Sequence, residues 1–448
     1  MQKGHDAPAH TSPSAVPRQI VSLLLRQQRL WLRELRLRGY INLGTSSTCI
    51  PPSTLPLYCS RTLHVSESMS SSSFLAQPPP PPTKLGVHRP LAPRAGIHVS
   101  PIQLGAGSIG DKWEQFGMGS MNKESSFKLL DAFYEAGGNF IDTANHYQDE
   151  SSEEFIGEWM EKRGIRNEII LATKYTTDYH RGKGGQHSAF VGNNVKSMHN
   201  SLRDSLRKLR TDYVDILYVH WWDYTTSIEE VMDGLHALVM QGKVLYLGVS
   251  DTPAWIVSQA NTYARLMGKT PFTIYEGKWS IIDRDFERDV LPMCIAQGMA
   301  IAPWNVLGGG KIRTDAEEQR RIESGEKGRT ILEDWLRTPE ERRVCAELEV
   351  IAKELGVQSI TSIAVAWIMQ KAPYVFPILG GRKVEQLHAN LEALELRLSD
   401  EQMRRLDNVV PLKKGFPYDV FGDGSEYNML FKTAGHFQMW PKAGPIKP

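Results

Sequence analysis

Residues 214–249 read VDILYVHWWDYTTSIEEVMDGLHALVMQGKVLYLGV. Val214 to His220 is a short apolar run rich in β-branched and aromatic residues, the composition of a buried strand. Ser227 then offers a side-chain oxygen to a helix N-terminus, and Glu230 stands three residues on, where a capping box requires it. The amphipathic segment that follows stops at Met240-Gln241-Gly242, where glycine can take the left-handed conformation that closes a helix. Val244 to Val249 is a second apolar run and restarts the cycle. Strand, helix and returning strand in one stretch make a βαβ unit, the building block of a parallel sheet.

The same period repeats outward in both directions. Further strands are predicted at Ser100 to Leu104, Asn139 to Asp142, Ile169 to Lys174, Phe272 to Tyr275, Ala300 to Trp304 and Val375 to Leu379. Helices between them close at Gly137, Gly164, Gly268, Gly298 and Gly356, and Asn122 is placed to cap one. Eight strands interleaved with helices favour a closed (β/α)8 TIM barrel over an open sheet. Active sites in such a barrel lie at the C-terminal ends of the strands, so polar residues that end apolar runs are the first candidates.

The barrel is expected to occupy residues 86–410. Ahead of it, residues 1–68 carry eight basic against three acidic residues. That balance suits a transit peptide, or an extension preceding a start at Met69. Pro79 to Pro82 close a linker that can form neither helix nor central strand, which makes 1–85 an extension in either case. Residues 411–448 form an aromatic-rich tail expected to wall the substrate site or mark a subunit contact. The charged segment Lys311 to Arg329 is expected to be a mobile lid or disordered insert after strand 7.

Composition narrows the function. The 52 basic and 51 acidic residues leave a net charge of +1, with no footprint for nucleic acid. Cys49, Cys59, Cys294 and Cys345 show neither a disulfide framework nor a zinc spacing, so no metal is expected and the compartment is read as reducing. No apolar run approaches the roughly 18 residues a membrane span needs. A cytoplasmic location follows as the expectation, or a mitochondrial one if residues 1–68 are a targeting signal.

Gly105-Ala106-Gly107-Ser108-Ile109-Gly110 matches a dinucleotide fingerprint by letters alone. The fingerprint needs a helix beginning inside the motif, whereas Asp111 to Met121 has a loop composition. It reads as a βα loop bordering the site. The chemistry lies further on. Strand 2 ends at Asp142 with Tyr147 five residues later, strand 3 ends at Lys174 and strand 4 at His220. Each has an ordinary structural use by itself, but four such groups at three successive strand ends form a constellation. Hydride arriving at a carbonyl carbon creates an alkoxide, and a positioned proton donor accelerates that step roughly 10²- to 10⁴-fold. Free tyrosine, with a pKa of about 10, is a poor acid at neutrality. A neighbouring ammonium lowers that value, a carboxylate holds the ammonium, and a histidine can place a second donor on the carbonyl oxygen.

These residues resemble the catalytic tetrad of the aldo-keto reductase superfamily. The fragments 139–147, 244–251 and 302–310 are similar to its fungal aryl-alcohol dehydrogenase and norsolorinic acid reductase branch. The resemblance covers most of residues 86–410 and implies an NADP(H)-dependent oxidoreductase acting on a small carbonyl or alcohol substrate. It implies Tyr147 as general acid, Lys174 and Asp142 as its tuning pair, and His220 as the group that orients the carbonyl. By the same resemblance Ser250 and Asp251 hold the nicotinamide carboxamide, Trp304 stacks on the ring, and Glu276, Asn305 and Leu307 are further cofactor contacts, while Gly308, Gly309 and Gly310 let a backbone approach the pyrophosphate closely. Gly380, Gly381 and Arg382, with Lys383, place donors and cations at a helix start, which suits a 2′-phosphate. Gln386 and Asn390 correspond to adenine contacts.

Three positions depart from the family. Glu276 stands where a glutamine is usual, Asn305 where Asp or Ser is, and Ala389 where many members carry Glu. Trp113, Tyr179, Trp221 and Trp222 follow strand ends and favour a flat aromatic substrate through offset stacking. Two other readings stay open: a class I aldolase forming a Schiff base on Lys174, and a nucleotide-sensing module resembling the potassium-channel β subunit. An oligomer is compatible with each.

Overall fold

Eight parallel strands form the ring that the sequence predicts. The computed structural model describes residues 76–116, 120–325 and 335–448. Residues 78–448 are one compact unit, and the unit before it lies outside the described residues apart from its last two positions. The readings of residues 1–68 and of Met69 therefore fall outside the described residues. A hairpin comes first, β1 (Arg89–Ala92) and β2 (Ala95–Val99). The barrel strands follow as β3 (Gln103–Gly105), β4 (Phe140–Asp142), β5 (Ile170–Tyr175), β6 (Val214–Val219), β7 (Val244–Ser250), β8 (Phe272–Lys278), β9 (Ala300–Trp304) and β10 (Ile378–Leu379). Each pairs in parallel with its neighbour, and β10 pairs with β3. Between β9 and β10 the ring is closed by one parallel bridge, Ile301 to Val375. There the Ile301 N–H donates to the Tyr374 carbonyl (2.9 Å), and the Phe376 N–H donates to that of Ile301 (2.8 Å).

Helices α1 (Lys123–Glu135), α2 (Ser151–Arg163), α3 (Val195–Lys208), α4 (Ile228–Met240), α5 (Ala254–Leu266) and α6 (Val290–Gln297) link the strands in turn. Between β9 and β10 come α7 (Asp315–Ser324), α8 (Pro339–Leu355) and α9 (Ile360–Met369), and after β10 come α10 (Val384–Leu391) and α11 (Asp400–Val409). Asn122 caps α1 by accepting the Ser125 N–H at 2.9 Å. Ser227 caps α4, but the capping box is only half made. The Glu230 carboxylate turns instead to the N-terminus of the preceding helix, α3, accepting the Val195 N–H at 3.1 Å.

Inside the barrel, Phe140, Ile216, Tyr218, Ile274, Ala302 and Phe376 form one buried cluster. Leu91, Ala92, Ala95 and Val99 of the hairpin complete it, so β1 and β2 plug the end of the barrel where the strands begin. The Asn139 side chain fixes the plug, accepting the Ser100 N–H (2.7 Å) and donating to the His98 carbonyl (3.2 Å). The opposite end is left for function.

The segment after β9 is more ordered than its charge suggests. Lys311 to Arg329 was expected to be a lid or disordered insert. Its described part instead starts with a full capping box between Thr314 and Glu317 and runs as α7 to Gly325. Buried Glu318 holds it down, accepting from Arg313 and Arg337 and pairing with Arg342. Part of the charge, Arg313 and Glu318, serves buried ion pairs, while Arg320 and Glu323 face solvent and residues 326–334 lie outside the described set. Removing Glu318 would leave the buried Arg313 guanidinium without its carboxylate and Arg337 with Asp315 alone. Glu318→Ala is therefore expected to turn the 311–325 segment into the first site of limited proteolysis, whereas equal resistance in parent and variant would mean that the cluster does not hold it.

In the tail, Tyr427, Phe431 and Phe437 pack on one another at centroid distances of 4.9–5.4 Å. Phe416 and Trp440 are exposed. The tail's polar ties run to the outside of the barrel, from Arg288 to the Lys413 carbonyl and from Lys447 to Asp400. Among the described residues no helix is long and apolar enough to cross a membrane, and no group of His, Cys, Asp and Glu side chains is placed to hold a metal ion.

Candidate active site

The loop after β4 carries Tyr147 in an unusual backbone. Gln148, Asp149 and Glu150 all have left-handed φ, at 54°, 48° and 81°. Such conformations cost non-glycine residues on the order of 1–3 kcal/mol each and persist only where the surroundings impose them. Here the surroundings do so. The Gln148 side chain is buried, accepts the N–H groups of Lys112 and Trp113 (3.0 and 2.9 Å), and donates to the Gly107 carbonyl (2.9 Å). From below, the fully buried Lys208 ammonium donates to the Asn145 carbonyl (2.8 Å) and pairs with Glu153 (2.7 Å) and Glu150 (3.2 Å). Neither Gln148 nor Lys208 was singled out by the sequence reading. Their one sequence signal is polarity at positions where helix and loop must be buried.

Tyr147 therefore sits at a fixed place over the ends of β5 and β6. The Lys174 ammonium lies 5.1 Å from the Tyr147 ring centroid and 5.5 Å from that of Tyr218. It donates to Asp142 Oδ1 (2.5 Å) and the Thr143 carbonyl (3.0 Å), and faces Glu276 Oε2 at 3.3 Å. All three ionisable partners are buried. Burial works against the Lys174 charge, yet the carboxylate of Asp142, first among the groups beside it, holds it charged above the usual lysine range. An ammonium so held is in the wrong state to attack a carbonyl, which removes the support for a Schiff base on Lys174. Burial also lifts the Tyr147 phenol above its ordinary value, and Lys174 offsets only part of that rise. The expected net lowering of the tyrosine is thus corrected: desolvation outweighs the ammonium, and the phenol stands as a proton donor at neutral pH.

Two histidines complete this side. His220 lies 6.0 Å from Tyr147 and 5.2 Å from His146, centroid to centroid. Burial first, then the positive charges nearby, hold His220 well below the usual histidine range and push His146 down to about 3. Both rings are neutral at working pH, so each can donate from one nitrogen only. His146 was missed by the sequence reading, although it adjoins Tyr147.

Trp113 leans over the same group, 6.1 Å from Tyr147 and 5.7 Å from His146, with its Nε1–H donating to Asp149 (3.0 Å). Trp221 is half-buried and donates to Thr177 (2.9 Å). The structure puts the other two aromatic candidates into packing. Trp222 belongs to the outer core, and Tyr179 is buried with its hydroxyl donating to Asp204 (2.7 Å) and its ring 5.0 Å from Lys208.

Across the mouth, Trp304 Nε1–H donates to Asp251 (3.1 Å), whose carboxyl burial pushes up to about 6. Ser250 Oγ is buried, with no hydrogen-bond partner among the described residues. Beyond them a cavity of about 480 Å³ runs between the ends of β9 and β10, lined by Asn305, Leu307, Gly310, Gly380, Arg382 and Asn390 among others. Gly309 and Gly310 have φ of 62° and 95°, and a Cβ on either would project toward this space. Gln386 Oε1 accepts the Arg382 N–H (3.2 Å) at the start of α10, leaving the Arg382 side chain exposed at the rim. Arg321 of α7 lines the same cavity, a further cation that the sequence reading had assigned to a lid. A free buried hydroxyl, a side-chain-free backbone cradle and two guanidinium groups fit a ligand that carries an amide at one end and phosphates at the other.

Comparison with known proteins gives the family. The sequence profile of the aldo/keto reductase family matches residues 101–411. The chain is 67% identical over 373 residues, 82% of its length and 97% of the relative's, to an aryl-alcohol dehydrogenase [NADP(+)] of Phanerodontia chrysosporium. It is 55% identical to a putative aryl-alcohol dehydrogenase of Saccharomyces cerevisiae, over 76% of this chain and 91% of that one. Norsolorinic acid reductase A of Aspergillus parasiticus is 50% identical over 79% of this chain and 86% of its own. Barrel, strand-end residues and relatives lead to one conclusion: the chain belongs to the aldo/keto reductase family.

Proposed function

We propose that the chain is an NADP(H)-dependent oxidoreductase that reduces an aromatic aldehyde or ketone to its alcohol, or runs the reverse, with Tyr147 as the acid or base. The observation that carries the reading is the meeting of Tyr147, Lys174, Asp142 and His220 at adjacent strand ends beside Trp113. The relatives named aryl-alcohol dehydrogenase support the substrate class, and the first of them supports NADP(H). Bound there, the reduced cofactor supplies hydride. The residues of the chain do the rest. Tyr147 gives its proton to the carbonyl oxygen as charge develops on it, Lys174 stabilises the phenolate left behind, and neutral His220 orients the oxygen. Trp113 offers a ring face to a flat substrate, worth roughly 0.5 to 1.5 kcal/mol beyond area burial. Loss of reduced-nicotinamide absorbance with aromatic aldehydes and ketones and NADPH, and its gain with aromatic alcohols and NADP+, tests the reading, and turnover confined to aliphatic substrates would overturn the aromatic part.

Cofactor choice has its own test. The 2′-phosphate of NADPH carries nearly two charges that NADH lacks, and Arg382 offers a planar fork of donors at the cavity rim. Charge-assisted hydrogen bonds contribute about 1.5 to 3 kcal/mol, on the order of 10- to 100-fold in affinity. Arg382→Ala is expected to weaken NADPH by about that factor and NADH little, with Arg321 and Lys383 limiting the loss. Equal weakening of both cofactors in a binding titration would make Arg382 a pyrophosphate or structural residue.

A further inference from the structure

Glu276 places a second buried carboxyl against the Lys174 ammonium. Its side chain is 4% exposed, that of Asp142 3% and that of Lys174 0%. Asp142 takes the hydrogen bond at 2.5 Å, and Glu276 Oε2 is left 3.3 Å from the ammonium, with no hydrogen bond of its own among the described residues. The neighbouring strands supply no relief. Glu276 pairs in register with Ser250 on β7 and Ala302 on β9. The titratable groups facing it are Asp142 from β4, Lys174 from β5, Tyr218 from β6, Asp251 from the end of β7, and Tyr147 from its loop. Two anions beside one ammonium, out of water, repel each other more than the cation repays, and a proton is taken up instead.

We propose that Glu276 enters this site as an uncharged carboxylic acid, leaving Lys174 matched by Asp142 alone, and that its ionisation sets the alkaline limit of carbonyl reduction. Burial raises the Asp142 carboxyl too, but Asp142 takes the hydrogen bond from Lys174 and is the one of the pair that keeps its charge. Burial, then repulsion from Asp142, raises the Glu276 carboxyl well above its usual range, against the pull of Lys174. If Glu276 ionised, its charge would oppose the phenolate that Tyr147 becomes on giving up its proton, and reduction would slow. The residue acts through Lys174 and Tyr147 and is a positioning residue. The second half of the proposal rests on the reading of Tyr147 as the acid, and the first half does not.

The sign of a stability measurement separates the alternatives. A carboxyl whose folded pKa is raised stabilises the fold only below its unfolded value of about 4.3, and that contribution is lost as pH climbs to the folded value. Glutamine mimics the acid and never ionises. Glu276→Gln is therefore expected to melt above the parent at about pH 8 by about 2 °C or more. The gap should close toward about pH 5. An ionised Glu276 gives the reverse, a variant that melts below the parent at pH 8. The whole chain, without cofactor, should also show a protonated-carboxyl band in the infrared difference between parent and Glu276→Gln at neutral pH. Absence of the band, its survival in the variant, a variant that melts lower, or one that fails to fold would each overturn the protonation. In kcat/KM for reduction, the alkaline limb should move up by about one pH unit or more in Glu276→Gln. An unmoved limb would overturn the tuning alone. Retained turnover in Tyr147→Phe would remove the acid assignment while leaving the protonation of Glu276 standing.

Discussion

Tyr147→Phe is expected to lower kcat for carbonyl reduction by about 10²- to 10⁴-fold, the usual worth of a positioned proton donor, while NADPH binds within a few-fold of the parent. The substitution removes one hydroxyl and little else. The ring is placed by a loop whose left-handed residues are held by Gln148 and Lys208, and neither contact involves the hydroxyl. The fold and the cofactor cavity should therefore be untouched, and the loss should appear in the chemical step. Steady-state turnover together with an equilibrium NADPH titration checks both parts. Turnover near the parent's would mean that another group, His146 or His220, supplies the proton.

Lys174→Met should be about as damaging to turnover, for a different reason. Methionine keeps the length and apolar stem of lysine but removes the cation that faces Tyr147, Asp142 and Glu276. The phenolate formed by proton donation would then stand in a buried site without its counter-charge, and a loss on the order of 10²-fold or more is expected. Stability adds a second readout. With the ammonium gone, Asp142 takes up a proton beside Glu276, and the folded pKa values of both carboxyls rise further above the unfolded ones. Stability relative to the parent should then be best near about pH 5 and fall as pH rises. A variant whose only change was a shifted pH optimum would reduce Lys174 to an indirect influence on the tyrosine.

The barrel was legible because its strands are buried on both faces and its helices end in glycine, two patterns set by local chemistry. Val214 to His220 and Val244 to Val249 fall within one residue of β6 and β7. The hairpin was missed because Pro90 and Pro93 mask a short alternation of Leu91, Ala95, Ile97 and Val99. Proline is tolerated there since β1 is an edge strand. The insert was misread because a run of charge looks the same whether its partners are solvent or Arg337 and Arg342, which lie well along the chain. At the site, Asp142, Lys174 and His220 were readable from their positions at strand ends. What holds them was not. Lys208 sits at the end of a helix and Gln148 in a loop, and only the closed ring brings them under Tyr147. The burial that reverses the expected shift of Tyr147 likewise belongs to the packed protein and not to any stretch of sequence.

The ring has one weak joint. Seven of its eight neighbouring strand pairs are zipped by ladders, while among the described residues β9 meets the segment leading into β10 through the single Ile301–Val375 bridge. The cavity spans this same joint, with Asn305 and Gly310 on one bank and Gly380 and Arg382 on the other. A molecule seated across it would act as the missing rung. Part of its binding free energy would go into closing the barrel, and the empty protein would breathe along this line before any other. Occupancy would then be read out far from the chemistry, as slower amide exchange on both banks of the seam.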